Sequence, residues 1–411
     1  MTLPAVVAGR TRFSAVYGVS VTRGGRDALW RLPGMAGLLA VTLAGFTSYA
    51  IEMTTAPLWA AHGGATATQA GLVTGLLMLA TVCAQLTVPA QIGRIGLHGA
   101  MAVGLVFLGG GSLLYLASHA LVPVLVVSAL RGIGFATLTV GCSTALAKIA
   151  PPSRLGEAAG VYGLFVALPN ILGLPAGVWI AEHVGFPVVF GIGALPLLAI
   201  PVALRSLRGI GIGGDQQTAR YDRALVRRIV APCLTLFVVT VSGGALMTFL
   251  PLTPGLGSWV SLSLLVFGIT GALGRWRVGT LVDRIGPDRL AVPFLATTMA
   301  GMLCVAAAAQ WAGVAWLVVV GGLVAGIGYG AIQNSTLVAA MSRVSRHQQP
   351  AASALWNGGF DLGTGVGGAA AGALIGATGF GTGYAASAIL ILLVAAALGV
   401  PRQTSSASTI R

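Results

Sequence analysis

Gly279-Thr280-Leu281-Val282-Asp283-Arg284-Ile285-Gly286-Pro287-Asp288-Arg289 is a charged island in an otherwise apolar stretch of chain. Its chemistry is that of a tight, paired turn. The glycines permit a sharp bend and close helix approach, and Asp283 can pair with an arginine and with a nearby helix N-terminus. The flanking apolar runs are each about 20 residues or longer, the length that crosses a ~30 Å hydrocarbon core as a helix. The island is therefore a loop at a membrane surface, and its arginines identify which surface.

Working outward, the gaps between apolar runs alternate. Arg10, Arg12, Arg23, Arg26 and Arg31 precede the first run, and Arg94 follows the second. Lys148 and Arg154 follow the fourth, and Arg205, Arg208, Arg220, Arg223, Arg227 and Arg228 fill the middle loop. Arg275, Arg277, Arg284 and Arg289 are read together as one gap, Arg343 and Arg346 as another, and Arg402 and Arg411 close the chain. The intervening gaps, near His62, His119, Glu182, Gly255, Gly313 and Thr382, carry no Lys or Arg. This positive-inside alternation puts both termini and the middle loop in the cytoplasm. On this reading one arginine, Arg131, lies inside an apolar run.

Composition agrees. A chain with 56% hydrophobic and 8% charged residues is far from a soluble domain, which carries about 25% charged. The net charge of +14 is accounted for by cytoplasmic loops facing anionic lipid, so nucleic acid is not expected as a partner. Cys83, Cys142, Cys233 and Cys304 fall in different runs without C-x-x-C spacing, which suits helix packing and neither a disulfide framework nor a metal site. The Gly209–Gly214 stretch lacks the preceding strand of a phosphate loop and reads as a flexible linker. No H-E-x-x-H or G-x-S-x-G motif appears in the runs, so neither an enzyme nor a cofactor is expected.

The expected fold is an all-α integral membrane protein of twelve helices in two six-helix pseudo-symmetric halves. The divisions are a cytoplasmic N-terminal extension (1–32), a first half (33–204), a cytoplasmic linker (205–228), a second half (229–400) and a cytoplasmic tail (401–411). A shift of 194 residues brings Thr54, Pro57 and Leu58 onto Thr248, Pro251 and Leu252. It brings Gly132-Ile133-Gly134 onto Gly326-Ile327-Gly328, Gly173 onto Gly367, and Gly185-Phe186 onto Gly379-Phe380. A slightly different offset aligns Arg94-Ile95-Gly96 with Arg284-Ile285-Gly286. Two like-oriented halves joined by a cytoplasmic loop form a transporter frame, with its binding cavity between the halves near the midplane. The second run is expected to span Thr68–Ile92 and the third Gly99–Ala117.

The opening island fits G-x-x-x-D-R-x-G-x-x-R and resembles the cytoplasmic signature of the major facilitator superfamily, and the chain resembles its drug:proton antiporter-type twelve-helix members. The resemblance implies a cytoplasmic gate at Gly279, Asp283, Arg284 and Gly286, with Arg94 in the equivalent loop of the first half. That loop is degenerate: Pro89 replaces the first glycine and Gly93 the aspartate. Ser128 to Ala136 resembles the helix-4 motif, with Arg131 in the usual glutamine place. Gly173, Pro175 and Gly177 resemble the antiporter motif of helix 5, a thin, kinked and tightly packing segment.

Three charges stand out within the runs: Glu52, Asp361 and Arg131. Their repeat counterparts are Leu246, Ala167 and Ala325, so the frame is symmetric and the charges are not. A carboxyl group held out of water can exchange protons near neutral pH, which makes Glu52 and Asp361 candidates for proton coupling. Arg131 either binds an anionic solute, modulates a carboxylate, or serves structurally by hydrogen-bonding carbonyls. Plain solvation of Glu52, and a structural hydrogen bond between Asp361 and Asn357 or a backbone group, are the alternatives for the carboxylates. Tyr49, Tyr162, Asn334, Trp356, Asn357 and Phe360 are candidate cavity residues, since aromatics and amides in an apolar cavity suit an amphipathic solute. The function expected is proton-coupled efflux of small amphipathic or drug-like solutes by a monomer in the lipid bilayer of a bacterial inner membrane. The alternative is a proton-coupled importer of a small organic acid, sugar or other metabolite.

Overall fold

The computed structural model describes residues 29–210 and 223–399. Most of the expected N-terminal extension, the centre of the linker and the whole C-terminal tail fall outside these residues. The described chain is helical and without strands. The first half contains α1 (Met35–His62), α2 (Ala67–Gln85), α3 (Val88–Ala117), α4 (Leu121–Ile149), α5 (Leu155–His183) and α6 (Phe186–Ser206). The second contains α7 (Arg223–Phe249), α8 (Trp259–Ile285), α9 (Pro287–Gln310), α10 (Leu317–Ser342), α11 (Gln349–Thr378) and α12 (Phe380–Gly399). Eleven of these are long and apolar enough to cross a membrane. The other, α11, is 30 residues long but is diluted by Gln349, Ser353, Asn357, Asp361 and its glycines.

Two expected boundaries move, for one reason. Helix α2 stops at Gln85 and not at Ile92, because Pro89 offers no N–H and its ring collides with the carbonyl four residues earlier, that of Gln85. Pro89 instead sits in the first turn of α3, where proline is tolerated. Helix α3 therefore begins at Val88, well before Gly99, and bends at Gly96. Helix α8 has no proline and runs unbroken to Ile285. That corrects the grouping of the arginines by gap: Arg275 and Arg277 lie on the helix, inside the expected eighth span Trp259–Val282, so Arg131 is not the only arginine within a span.

The repeat is visible in backbone geometry. Gly96 and Gly286 have φ of 77° and 89°, and Gly185 and Gly379 have φ of 125° and 95°. These aligned pairs mark the same two junctions in each half, in a conformation that only glycine adopts cheaply.

The halves meet through α2 against α11 and α5 against α8. The α2–α11 seam is built from small residues, as close helix approach in a bilayer requires. A Cβ on Gly71 would lie 2.3 Å from the Gly368 carbonyl oxygen, and Thr68 Oγ1 donates to the Gly372 carbonyl at 3.2 Å. On the other side, Gly268 of α8 faces Ile171 of α5. These contacts belong to the end of the molecule that carries no Lys or Arg in its gaps. Towards the Arg-rich end α5 turns away: Gly156, Gly160 and Gly163 face open space, and Leu164 is 67% exposed. The seam is closed at the Arg-bare end and parts towards the Arg-rich end.

Candidate functional site

At the inner limit of the closed seam lies Asp361. It is twelve residues into α11, about 18 Å of helix from its start. Gln85, the last residue of α2, donates from Nε2 to Asp361 Oδ2 at 2.8 Å. The break at Pro89 thus sets the end of α2 at the residue that meets the carboxylate. Among the described residues three side-chain hydrogen bonds cross between halves, and α2 takes part in all of them. Two involve threonines; the third involves Asp361, so a titratable group sits on the contact between halves.

Tyr49 of α1 and Tyr329 of α10 both feel the charge of Asp361. Tyr49 stacks on Phe135 with centroids 3.9 Å apart. Under the repeat Phe135 becomes Tyr329 and Tyr49 becomes Gly243, whose missing side chain is the space the Tyr329 ring fills. The polar set continues on α10, where buried Gln333 accepts from Arg275 Nη1 at 3.3 Å.

The second carboxylate has a different setting. Glu52 and Arg131 are each 1% exposed and form an ion pair, with Arg131 Nη1 2.6 Å from Glu52 Oε2. The pair is enclosed by α1, α3, α4 and α6 of one half. Arg131 also donates to the Leu108 carbonyl at 3.0 Å and the Ser48 carbonyl at 3.1 Å. Leu108 lies in a π-helical stretch of α3, Val106–Gly110, where the normal backbone ladder is interrupted. Ser112 donates to Glu52 Oε1, and Ser48 Oγ donates to the Gly193 carbonyl at 2.5 Å. Two glycines make room: a Cβ on Gly193 would overlap Glu52, and one on Gly111 would meet Arg131 Cγ at 2.5 Å. Glu52 is therefore not solvated at the outer end. Insertion scales put a lone charge at mid-helix at about 2.5–3.5 kcal/mol, and here each charge answers the other.

The remaining candidates scatter. Asn357 donates to the Ser353 carbonyl of its own helix and not to Asp361. Asn334 Nδ2 donates to the Arg275 carbonyl at 2.8 Å. Trp356 is buried inside the second half, its indole N–H on Thr336 Oγ1 at 3.1 Å. Phe360 stands between Trp356 and Tyr329, while Tyr162 packs against the core of the first half. Gly173 and Gly177 bring α5 against Ala50 and Ile51 of α1, and Pro175 is buried between them. Of the gate residues, Arg94 and Arg284 are exposed, Gly279 faces nearly open space, and Gly286 forms the α8–α9 bend. The Asp283 side chain lies outside the described structure. The ion pair seen at this loop joins Asp288, in the first turn of α9, to Arg343 at 2.5 Å, within one half. Reading charges by gap missed Gln85, Arg275 and Gln333. Polar side chains inside apolar runs were the available signal. Among the described residues no group of three His, Cys, Asp or Glu gathers as metal ligands.

A sequence profile of the Major Facilitator Superfamily matches residues 37–346 and 233–410. The chain belongs to the major facilitator superfamily. An inner membrane transport protein of this kind, YdhP of Escherichia coli O157:H7, is 26% identical over 278 residues, which is 62% of this chain and 65% of YdhP. A chloramphenicol resistance protein of Streptomyces lividans is 30% identical over 185 residues, 42% of this chain and 46% of that protein. These alignments reach less than two thirds of either relative's length. The nucleoside transporter NupG superimposes with a TM-score of 0.68 at 14% identity, covering 89% of this chain and 98% of NupG. A bacterial homolog of the human lysosomal transporter Spinster superimposes with a TM-score of 0.73 at 14% identity, covering 91% and 97%. At such identity the superpositions speak for the fold, which is the superfamily's two-half transporter frame.

Proposed function

We propose that this superfamily transporter exports small amphipathic organic solutes in exchange for protons, with Asp361 as the principal proton site. One observation carries the reading: Asp361 is a carboxylate hydrogen-bonded across the seam between the halves, where the seam begins to part. A group placed there has a different neighbourhood in each state of an alternating-access cycle. With the Arg-rich end in the cytoplasm, the present arrangement is inward-facing. In it the amide N–H of Gln85 donates to Asp361, a contact that favours the ionised carboxylate over the neutral acid. A proton arriving at Asp361 removes the charge that this amide favours, weakens the link between halves and frees them to rearrange. Solute and proton then alternate at one place, as exchange requires. The relatives named for transport and for chloramphenicol resistance support small organic solutes and export.

Glu52 and Arg131 belong to this proposal in a secondary place. Their pair is closed inside one half, so it tunes the packing of α1 against α3, α4 and α6, and through α1 the position of Tyr49. The test is solute flux in proteoliposomes under an imposed pH gradient, beside equilibrium solute binding. Asp361→Asn should bind solute and lose gradient-driven flux. Full gradient-driven flux in that variant refutes the assignment.

A further inference from the structure

Arg275, grouped with the loop arginines when charges were read by gap, lies within α8 on the side that meets α10. It is ten residues before the end of α8, about 15 Å of helix from Ile285. Its neighbours Leu273 and Trp276 are 49% and 68% exposed, as apolar side chains turned to lipid are. Arg275 itself points the other way: Nη1 donates to Gln333 and the guanidinium lies within electrostatic reach of Tyr329, both on α10 and both buried. It is nevertheless exposed, and among the described residues no carboxylate pairs with it. Asn334 fixes the backbone beneath it by donating to its carbonyl. The contrast with Arg131 is direct. That arginine, equally within a span, is enclosed and answered by Glu52, whereas Arg275 has one neutral amide and, among the described residues, no carboxylate to answer it.

We propose that Arg275 and Gln333 form an anion-recognising subsite in the cavity, which receives the carboxylate or phosphonate group of a small organic solute while its apolar part lies against Tyr329 and Phe360. The proposal rests on the transporter reading given above and narrows its substrate class to organic anions. The chemistry follows from the groups. A guanidinium presents a planar fork of donors matched to a carboxylate or phosphonate, and Gln333 orients that fork by occupying one donor. An uncompensated arginine at this depth is costly, and a bound anion would lower that cost. Repeat symmetry gives no duplicate, since the offset that aligns the Arg-Ile-Gly turns puts Gln85 opposite Arg275. One half thus offers an amide to Asp361 and the other offers a cation to the solute.

The test uses the purified full-length protein and phenylglyoxal, an arginine reagent, with adducts located by peptide mass spectrometry. Arg275 should react in the free protein, with exposed Arg94 as a reactive control and enclosed Arg131 as an unreactive one. The probes are benzoate, 2-naphthoate and phenylphosphonate, each beside its neutral amide. At least one anion should slow modification of Arg275 by about tenfold while its amide does not, the difference expected of one charge-assisted contact. Calorimetric affinity for that anion should fall by a similar factor in Arg275→Gln and less in Arg275→Lys, with amide binding unchanged. If no anion protects, if amides protect equally, or if Arg275→Gln binds the anion normally, the subsite does not exist. Repeating the labelling in nanodiscs separates a lipid headgroup from a solute, and protection by phosphatidylglycerol alone overturns the proposal. Proton-driven flux is read in parallel. Flux without anion protection removes the subsite and leaves the transporter reading standing. Protection without flux removes proton coupling and leaves the subsite.

Discussion

The Glu52–Arg131 pair can be taken apart in a way the chain itself suggests, because the repeat puts Leu246 and Ala325 at the equivalent places in the second half. Glu52→Leu alone leaves a buried guanidinium without its carboxylate, and Arg131→Met alone leaves a buried carboxylate without its cation. Stranding one member of a buried pair costs about 3–5 kcal/mol, so independent effects would sum to about 6–10 kcal/mol. The first should be the worse of the two. A carboxyl group can shed its charge by taking a proton, and a guanidinium cannot. The double variant strands no charge. What it loses is Arg131's bonds to the Leu108 and Ser48 carbonyls and the Ser112 bond to Glu52, at about 1 kcal/mol each, so its cost should be about 3 kcal/mol. Unfolding free energies in mixed detergent micelles, measured for all four proteins, close the cycle. A double variant as unstable as the sum of the singles would falsify the isolated-pair description. Flux of the folded double variant then separates roles: retained proton-driven flux makes the pair structural, and lost flux brings it into coupling.

Other outcomes can be checked on the same preparations. Gln85→Leu removes the amide that meets Asp361 across the seam and should lower gradient-driven flux several-fold with little change in thermal stability; normal flux would mean the bond is incidental. Gly368→Val puts a branched side chain where a Cβ already meets Thr74 Cβ at 2.7 Å, so it should hold the Arg-bare end open, read as increased accessibility of a cysteine at Thr68 to impermeant thiol reagents. Asp283→Asn should lower turnover more than it lowers expression if the turn serves as a gate, and an unchanged rate makes it a turn residue only. Arg208→Cys, in a background lacking the native cysteines, should label only from the cytoplasmic side, and labelling of intact cells from outside would reverse the topology.

Which parts were legible follows from what fixes them. Eleven of the twelve spans come from apolar length, and the halves from repeated small residues; Gly96 with Gly286 and Gly185 with Gly379 show the repeat in matching backbone bends. The charges Glu52, Asp361 and Arg131 were visible because a charge in an apolar run is rare. Their partners were not. Whether Glu52 faces Arg131, or Asp361 faces Gln85, depends on the axial register and rotation of two helices, which helical periodicity along one segment does not determine. Arg275 escaped because a cluster of arginines near a loop reads as loop, even though the apolar run Trp259–Val282 already contained it. The length of α2 was misjudged by the same neglect of local covalent chemistry: Pro89 was noted as a substitution in a motif when it was also a helix stop.

That stop has a mechanical meaning. Helix α8 carries Arg275 and the Asp283-Arg284 turn on one uninterrupted shaft, eight residues or about 12 Å apart. Whatever tilts the shaft at Arg275 tilts the turn with it. The first half has no such shaft, since α2 ends at Gln85, a new helix starts at Val88, and that helix bends at Gly96, just past Arg94. Force applied at Gln85 is spent in a joint. The frame is duplicated, but its two levers differ: one transmits and the other yields, so a load at Arg275 should move the Arg-rich face from the second half while the first half follows.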